Sequence, residues 1–381
     1  MESTPTVAAQ VTDGRDDRRR QVVRRADLDS LVITLKARGF EVIAPVRRDG
    51  AIVLAAIDSL AALPRGWAAD QEPGRYHLRP AAGGALFGPG PAATSCRAFL
   101  HPASERLFAA RRSGSGFQVE TDDPPVPRYA FVGIRACDLA AVARLDRVLK
   151  GDRFHDTAYQ ARRDAAFFAV VDCREPASTC FCASVGGGPV AAAGYDLRIT
   201  EITEEGHRFL LEPGSAAGAD ILATLPGIPP DDATLRAAGR PAAPQARSLP
   251  ADGLAGRLCA AAEHPRWQAT AARCLACANC TMVCPTCFCT TVEDTSGLLP
   301  DQAARWRRAD SCFTLGFSYI HGGSVRATIA ARYRQWLLHK LATWHDQFGT
   351  TGCVGCGRCI AWCPAGIDIT EEARAVAAAP G

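Results

Sequence analysis

Apolar residues at helical spacing from Asp27 to Arg38 (Leu28, Leu31, Val32, Leu35), behind an acidic start, predict a first helix. Two short strands follow, from Glu41 to Val46 and from Ala51 to Leu54, about a turn at Arg48-Asp49-Gly50. Proline and glycine then become dense, and Leu63 to Pro91 reads as loops. Tyr129 to Ile134 is a continuous apolar run leading into a helical pattern from Asp138 to Leu149, and Ala166 to Val171 is a second such run ending in a polar turn. Apolar strands alternating with helices imply a parallel sheet covered on both faces. Leu197 to Glu201 and His207 to Leu211 read as a hairpin, and an Ala/Pro/Gly-rich stretch follows. Further on, Val325 to Phe348 carries Val325, Ile329, Trp336, Leu337, Leu341 and Trp344 near one face of a long helix, a stripe suited to core packing. The expected architecture is α+β. A basic tail (1–26), disordered, precedes an N-terminal α/β domain (27–225), a linker (226–256) and a mainly helical domain (257–381).

Composition narrows the class. The chain has 381 residues, is 48% apolar, and sets 43 Lys plus Arg against 40 Asp plus Glu, so it can bury a core and has no electrostatic footprint for nucleic acid. No stretch approaches the roughly 18 consecutive apolar residues of a membrane-spanning helix. The run Arg18-Arg19-Arg20-Gln21-Val22-Val23-Arg24-Arg25 resembles a twin-arginine signal, but Ala26-Asp27-Leu28-Asp29 follows it instead of an apolar region, which favours a solvated tail. The number that changes the picture is 17 cysteines, too many and too tightly bunched for a disulfide framework in a chain of this size. Such bunching points to metal thiolates in a reducing compartment, the cytoplasm.

Two runs carry most of the chemistry: Cys274-x2-Cys277-x2-Cys280-x3-Cys284-Pro285 and Cys353-x2-Cys356-x2-Cys359-x3-Cys363-Pro364. Both match the bacterial ferredoxin pattern, in which a loop curls around one [4Fe-4S] cube and the fourth cysteine, before proline, ligates the other cube. That rule assigns Cys274, Cys277, Cys280 and Cys363 to one cluster, and Cys353, Cys356, Cys359 and Cys284 to the second. Gly355 and Gly357 suit a loop needing close backbone approach. Structural zinc also uses Cys-x2-Cys pairs, but as two separated pairs and not as three equal gaps with a distant fourth. Residues 285–352 separate the motifs, so the ferredoxin-like core is split, with the long helix expected to fill the gap.

Further cysteines fall outside these runs. Cys137 and Cys173 sit just past predicted strands, whose carboxyl ends share one edge of a parallel sheet. Cys180 and Cys182 are two apart and can project to one side of an extended segment. The four make a candidate extra centre, best suited to a [4Fe-4S] cube, with zinc as the next choice. Thr179-Cys180-Phe181-Cys182 parallels Thr286-Cys287-Phe288-Cys289, and Cys287, Cys289 and Cys312 are candidates for one more centre; buried inert thiols are the alternative. Cys96 and Cys259 stand alone and read as buried thiols.

Gly133-Ile134-Arg135-Ala136-Cys137-Asp138-Leu139, Thr179-Cys180-Phe181-Cys182, Cys284-Pro285-Thr286-Cys287-Phe288-Cys289, Arg332-Tyr333-Arg334-Gln335-Trp336 and Gly352-Cys353-Val354-Gly355-Cys356-Gly357-Arg358-Cys359-Ile360 together resemble the beta subunit of cytoplasmic [NiFe] hydrogenases and sulfhydrogenases. One of the subunits of anaerobic sulfite reductase is similar. The resemblance runs from about Arg128 to the C-terminus, and Ala136 stands where the family usually has proline. It implies an electron-relay subunit working beside a flavin- and NAD(P)-binding subunit, together with a catalytic hydrogenase or reductase subunit. No Gly-x-Gly-x-x-Gly opens a helix after a strand, Phe87-Gly88-Pro89-Gly90-Pro91 and Gly186-Gly187-Gly188-Pro189 read as loops, and the histidines are scattered, so no nucleotide or catalytic site of its own is expected. Two other functions fit the cysteines less fully: reduction of sulfite or polysulfide on this chain itself, and a zinc scaffold without redox chemistry.

Overall fold

The computed structural model describes residues 20–378 apart from 89, 122–124, 152–153, 205 and 298–300. Most of the N-terminal tail therefore lies outside the described residues. Its end does not: β1 (Gln21–Arg24) is a strand, with Val22 and Val23 buried, so the basic run closes as part of a sheet. β2 (Glu41–Arg48) and β3 (Ala51–Ala56) follow the helix Asp29–Ala37, then come two hairpins, β4 (Trp67–Glu72) with β5 (Arg75–Pro80) and β6 (Ser104–Ser113) with β7 (Gly116–Glu120). β8 (Tyr129–Arg135), β9 (Phe167–Val171), β10 (Leu197–Ile202), β11 (Arg208–Pro213) and β12 (Gly227–Ile228) complete an eight-stranded sheet, ordered β12-β1-β11-β10-β9-β8-β2-β3. Its centre, β2, β8, β9 and β10, is parallel, and its margins are antiparallel.

The centre is parallel because β9 and nearly all of β8 are buried, which requires cover on both faces. Ala130 and Val132 enter the core beneath one face with Leu31 and Leu35, while Phe131 and Ile134 enter the other with Phe168, Val142 and Leu145. Phe131 and Ile134 share a face at an odd spacing because the register shifts at Gly133. Gly133 has φ +83°, and a Cβ there would meet the Phe87 ring at 2.3 Å. The bulge ends β8 so that the helix Ala136–Leu149 starts with Cys137 at its tip.

Three regions differ from the sequence expectation. The stretch from Leu63 to Pro91 contains β4 and β5, a hairpin with partly exposed polar faces that gives no apolar alternation. The expected linker contains β12 and the helix Asp232–Ala238, and its later part is tied down by Ala243 N donating to Arg174 O and Gln245 Oε1 accepting from Ala183 N. The insertion between the cysteine motifs is not helical throughout: β13 (Thr290–Ser296) and β14 (Gln302–Ala309) form a hairpin that pairs with β6, giving a sheet ordered β13-β14-β6-β7 across the two halves of the chain. Arg307 locks that seam by pairing with Glu105 and Asp156.

The long helix begins at Ile329, capped by Thr328 Oγ1, which accepts from Ala331 N; Val325 lies before it, exposed. The helix runs Ile329–Leu338, passes through a π turn at His339–Thr343, and resumes over Trp344–Phe348. Trp336, Leu337, Leu341, Ile360 and Ile369 build the third core. Cys96 is buried as expected, but Cys259 is exposed, because the short helix Leu254–Ala260 turns Leu258 inward instead. Among the described residues no helix is long and apolar enough to cross a membrane.

Candidate metal centres

The two ferredoxin-type loops have one backbone trace. Ala276 and Ala278 take positive φ (50° and 66°), and the equivalent Gly355 and Gly357 take 65° and 74°. Each second member caps a short helix, Asn279–Met282 or Arg358–Ala361. The left-handed residues turn amides inward: Ala276 N lies 3.4 Å from Cys274 Sγ, and Gly355 N lies 3.3 Å from Cys353 Sγ. Ile367 N adds a third such donor, 3.4 Å from Cys363 Sγ.

Folding brings the fourth cysteines across. Cys274, Cys277, Cys280 and Cys363, with Cys359 of the second loop, line one cavity, whose wall includes Phe313, Tyr333 and Trp336. Cys284 lies within electrostatic reach of Cys353, Cys356 and Cys359. The two groups are contiguous, since Cys280 also acts on Cys359. Burial pushes the Cys280 and Cys359 thiols well up and that of Cys353 to about 12, so as free groups they would hold their protons.

The donors around the first cavity fit a sulfide-rich occupant. Tyr333 Oη and Trp336 Nε1 are buried with no partner, and both residues line it. A buried unsatisfied donor costs about 1–3 kcal/mol, and cluster or thiolate sulfur would accept from both. Zinc fits less well. It needs sulfurs about 2.3 Å from one ion, and among the described residues no three His, Cys, Asp or Glu side chains converge in that way.

Cys137, Cys173, Cys180 and Cys182 are all buried and lie together at the carboxyl edge of β8 and β9. Cys180 and Cys182 each lie near Cys173, and Cys137 lies near Cys182. The group abuts the second loop: Cys356 acts on Cys137, Cys180 and Cys182. Phe181 N donates to Gly355 O at 2.8 Å, and Gln245 Nε2 approaches Cys182 Sγ at 2.9 Å. Arg358 seals this junction. Its Nη2 pairs with Asp138 Oδ1 at 2.7 Å, its Nε donates to Ala92 O at 2.7 Å, and its buried Nη1 has no partner while Cys356 and Cys137 lie nearby.

Cys287, Cys289 and Cys312 gather beside Cys284 and Cys280. Cys287 contacts Cys284, Cys289 contacts Cys312, and Lys340 acts on all four. The histidines stay apart from these groups except His339, which burial, then Lys340, holds down at about 4. His339 Nε2 accepts from Trp344 Nε1 at 3.0 Å.

Residues 273–367 match the 4Fe-4S dicluster domain family, a span that takes in both loops and the insertion between them. Sulfhydrogenase 2 subunit beta of Pyrococcus furiosus is 34% identical over 258 residues, covering 65% of this chain and 74% of that protein. The chain belongs to the sulfhydrogenase beta-subunit family. It is an iron–sulfur protein of electron transfer, as the family resemblance in its sequence implied. No solved structure matches it.

Membership does not name the residues sequence reasoning passed over: Lys340, Arg358, Tyr333 and Trp336. One signal was available. Lys340 stands four residues from both Trp336 and Trp344, on the apolar stripe of the long helix, where a charge needs a buried reason.

Proposed function

We propose that this chain is the electron-transfer subunit of a multisubunit cytoplasmic oxidoreductase of the hydrogenase or sulfur/sulfite reductase type, relaying single electrons between a flavin- and NAD(P)-binding partner and a catalytic subunit. Two [4Fe-4S] clusters supply the one-electron chemistry, held by Cys274, Cys277, Cys280 and Cys363, and by Cys353, Cys356, Cys359 and Cys284. Cys137, Cys173, Cys180 and Cys182 hold a third centre, and Cys287, Cys289 and Cys312 offer three thiols for one more. The observation that carries this reading is continuity: the cysteine groups adjoin in series, from the exposed Cys277 through Cys280 and Cys359 to Cys356 and the buried edge of the large sheet.

The chain's own residues do three things in this scheme. The left-handed loops aim amides at sulfur, which stabilises the thiolate form. Tyr333 stays a donor, because burial, then Glu372 and the nearby thiols, push its hydroxyl well up. Val354, Phe181 and Ile360, all at most 2% exposed, keep water from the groups around them.

The test is reduction of the isolated full chain under anaerobic conditions. Dithionite should bleach the iron–sulfur absorption, while NADH and NADPH should not; rapid reduction by either nucleotide without other subunits would sink the relay reading. A second reading has the chain reduce sulfite or polysulfide itself, and the paired thiols of Cys289 and Cys312, outside both motifs, favour it. It requires the dithionite-reduced chain to be reoxidised by sulfite or polysulfide with no partner present.

A further inference from the structure

Lys340 is 3% exposed, deep in the third core, at a position that offers it no carboxylate. Nζ donates to Thr286 Oγ1 at 2.8 Å and approaches Gly352 O at 3.5 Å. Its other neighbours are sulfurs, those of Cys284, Cys287 and Cys353, with those of Cys289 and Cys312 also within its reach. Thr286 Oγ1 in turn lies 3.3 Å from Cys284 Sγ, so the ammonium sits one hydroxyl away from that sulfur. A buried cation without an anion costs several kcal/mol, so a lysine survives here only against anionic sulfur.

The helix is altered to place it. The π turn His339–Thr343 interrupts an otherwise regular α-helix at this residue, and such turns concentrate at functional sites. Thr286, which receives the ammonium, lies between Cys284 and Cys287 and is fully buried, its hydroxyl passing the bond on to Gly352 O at 2.7 Å. Every contact of Nζ therefore leads to the Cys284-Pro285-Thr286-Cys287 turn or to the residue before Cys353. The first group has a buried cation of its own, Arg332 beside Cys274, with its Nε unpartnered among the described residues, while its cavity wall presents Tyr333, Trp336 and Phe313.

We propose that Lys340 is a fixed counter-charge that raises the reduction potential of the centre bound by Cys353, Cys356, Cys359 and Cys284. The inference rests on the cluster assignment proposed above. Reduction adds one negative charge to a cluster, so a buried cation beside it favours the reduced form.

The experiment is a paramagnetic-resonance redox titration of the whole chain, with iron and acid-labile sulfide counted per chain, for wild type, Lys340→Gln and Lys340→Arg. Lys340→Gln keeps a donor for Thr286 and removes the charge. It should shift one of the two dicluster midpoints to more negative potential, that of the signal retained in a Cys363→Ala protein, and leave the other in place; Lys340→Arg should restore it. Loss of iron in Lys340→Gln but not in Lys340→Arg supports the same role, because the charge is then needed to hold the thiolates. Unshifted midpoints in Lys340→Gln with iron retained, or equal loss of iron in both variants, overturns it. Wild-type protein lacking iron and sulfide would instead overturn the electron-carrier reading.

Discussion

The two ferredoxin-type loops share a backbone and differ in what surrounds it. At the first left-handed position the chain has Ala276 in one loop and Gly355 in the other; at the second, Ala278 and Gly357. A Cβ at Gly355 would meet the Cys182 backbone at 2.5 Å, and one at Gly357 would meet Thr179 O at 2.4 Å. The second loop needs glycine because the Thr179–Cys182 segment lies directly against it. The first loop has no such neighbour: Leu275 is 67% exposed and Cys277 is exposed, so alanine fits despite the strain of its dihedrals. One loop is built to be covered and charged, by Lys340 and Arg358. The other faces outward, with aromatic walls and the buried Arg332 beside Cys274.

The largest effect expected from breaking this comparison is on metal. Cys363→Ala should remove the centre held by Cys274, Cys277 and Cys280, read as loss of one set of paramagnetic signals and of the matching iron. If only the centre of Cys353, Cys356 and Cys359 disappears, the crossing is wrong. Next come Cys173→Ala and Cys182→Ala. Each should lower iron per chain while both dicluster signals persist; unchanged metal in both variants, with folding intact, would make these residues buried thiols.

Smaller effects sharpen the contrast between the loops. Gly357→Ala forces a side chain against Thr179 in a left-handed conformation and should cost about 1–3 kcal/mol of strain, more if the Thr179 segment cannot yield. A lowered melting temperature of the holo-protein would show it. Ala278→Gly, the reciprocal change, should stabilise by roughly 1 kcal/mol, since an L-residue in this region costs about 1–2 kcal/mol that glycine avoids. The two substitutions should therefore move the melting temperature in opposite directions, and shifts of the same sign would show that the loops are not equivalent.

Local pattern was enough for much of this molecule. Three equal cysteine gaps with a Cys-Pro end encode a loop that closes on itself, so both loops were legible without a fold. Tyr129 to Ile134 and the run to Val171 announced buried strands by continuous apolarity, and the Leu197 hairpin by its turn. The missed hairpins β4–β5 and β13–β14 have largely polar, exposed faces, and their register is fixed by partners far along the chain: β14 pairs with β6 about two hundred residues away. The long helix was legible as a stripe, but not its π turn at His339–Thr343, which the spacing of the stripe does not mark. Sequence thus determined the spacing of the cysteines and on which local loops they lie. Tertiary structure alone decided that Cys356 joins the sheet-edge cysteines to the second loop, that Arg358 finds Asp138, and that Lys340 meets sulfur and no carboxylate, since each contact depends on the packing of segments with no local preference for one another.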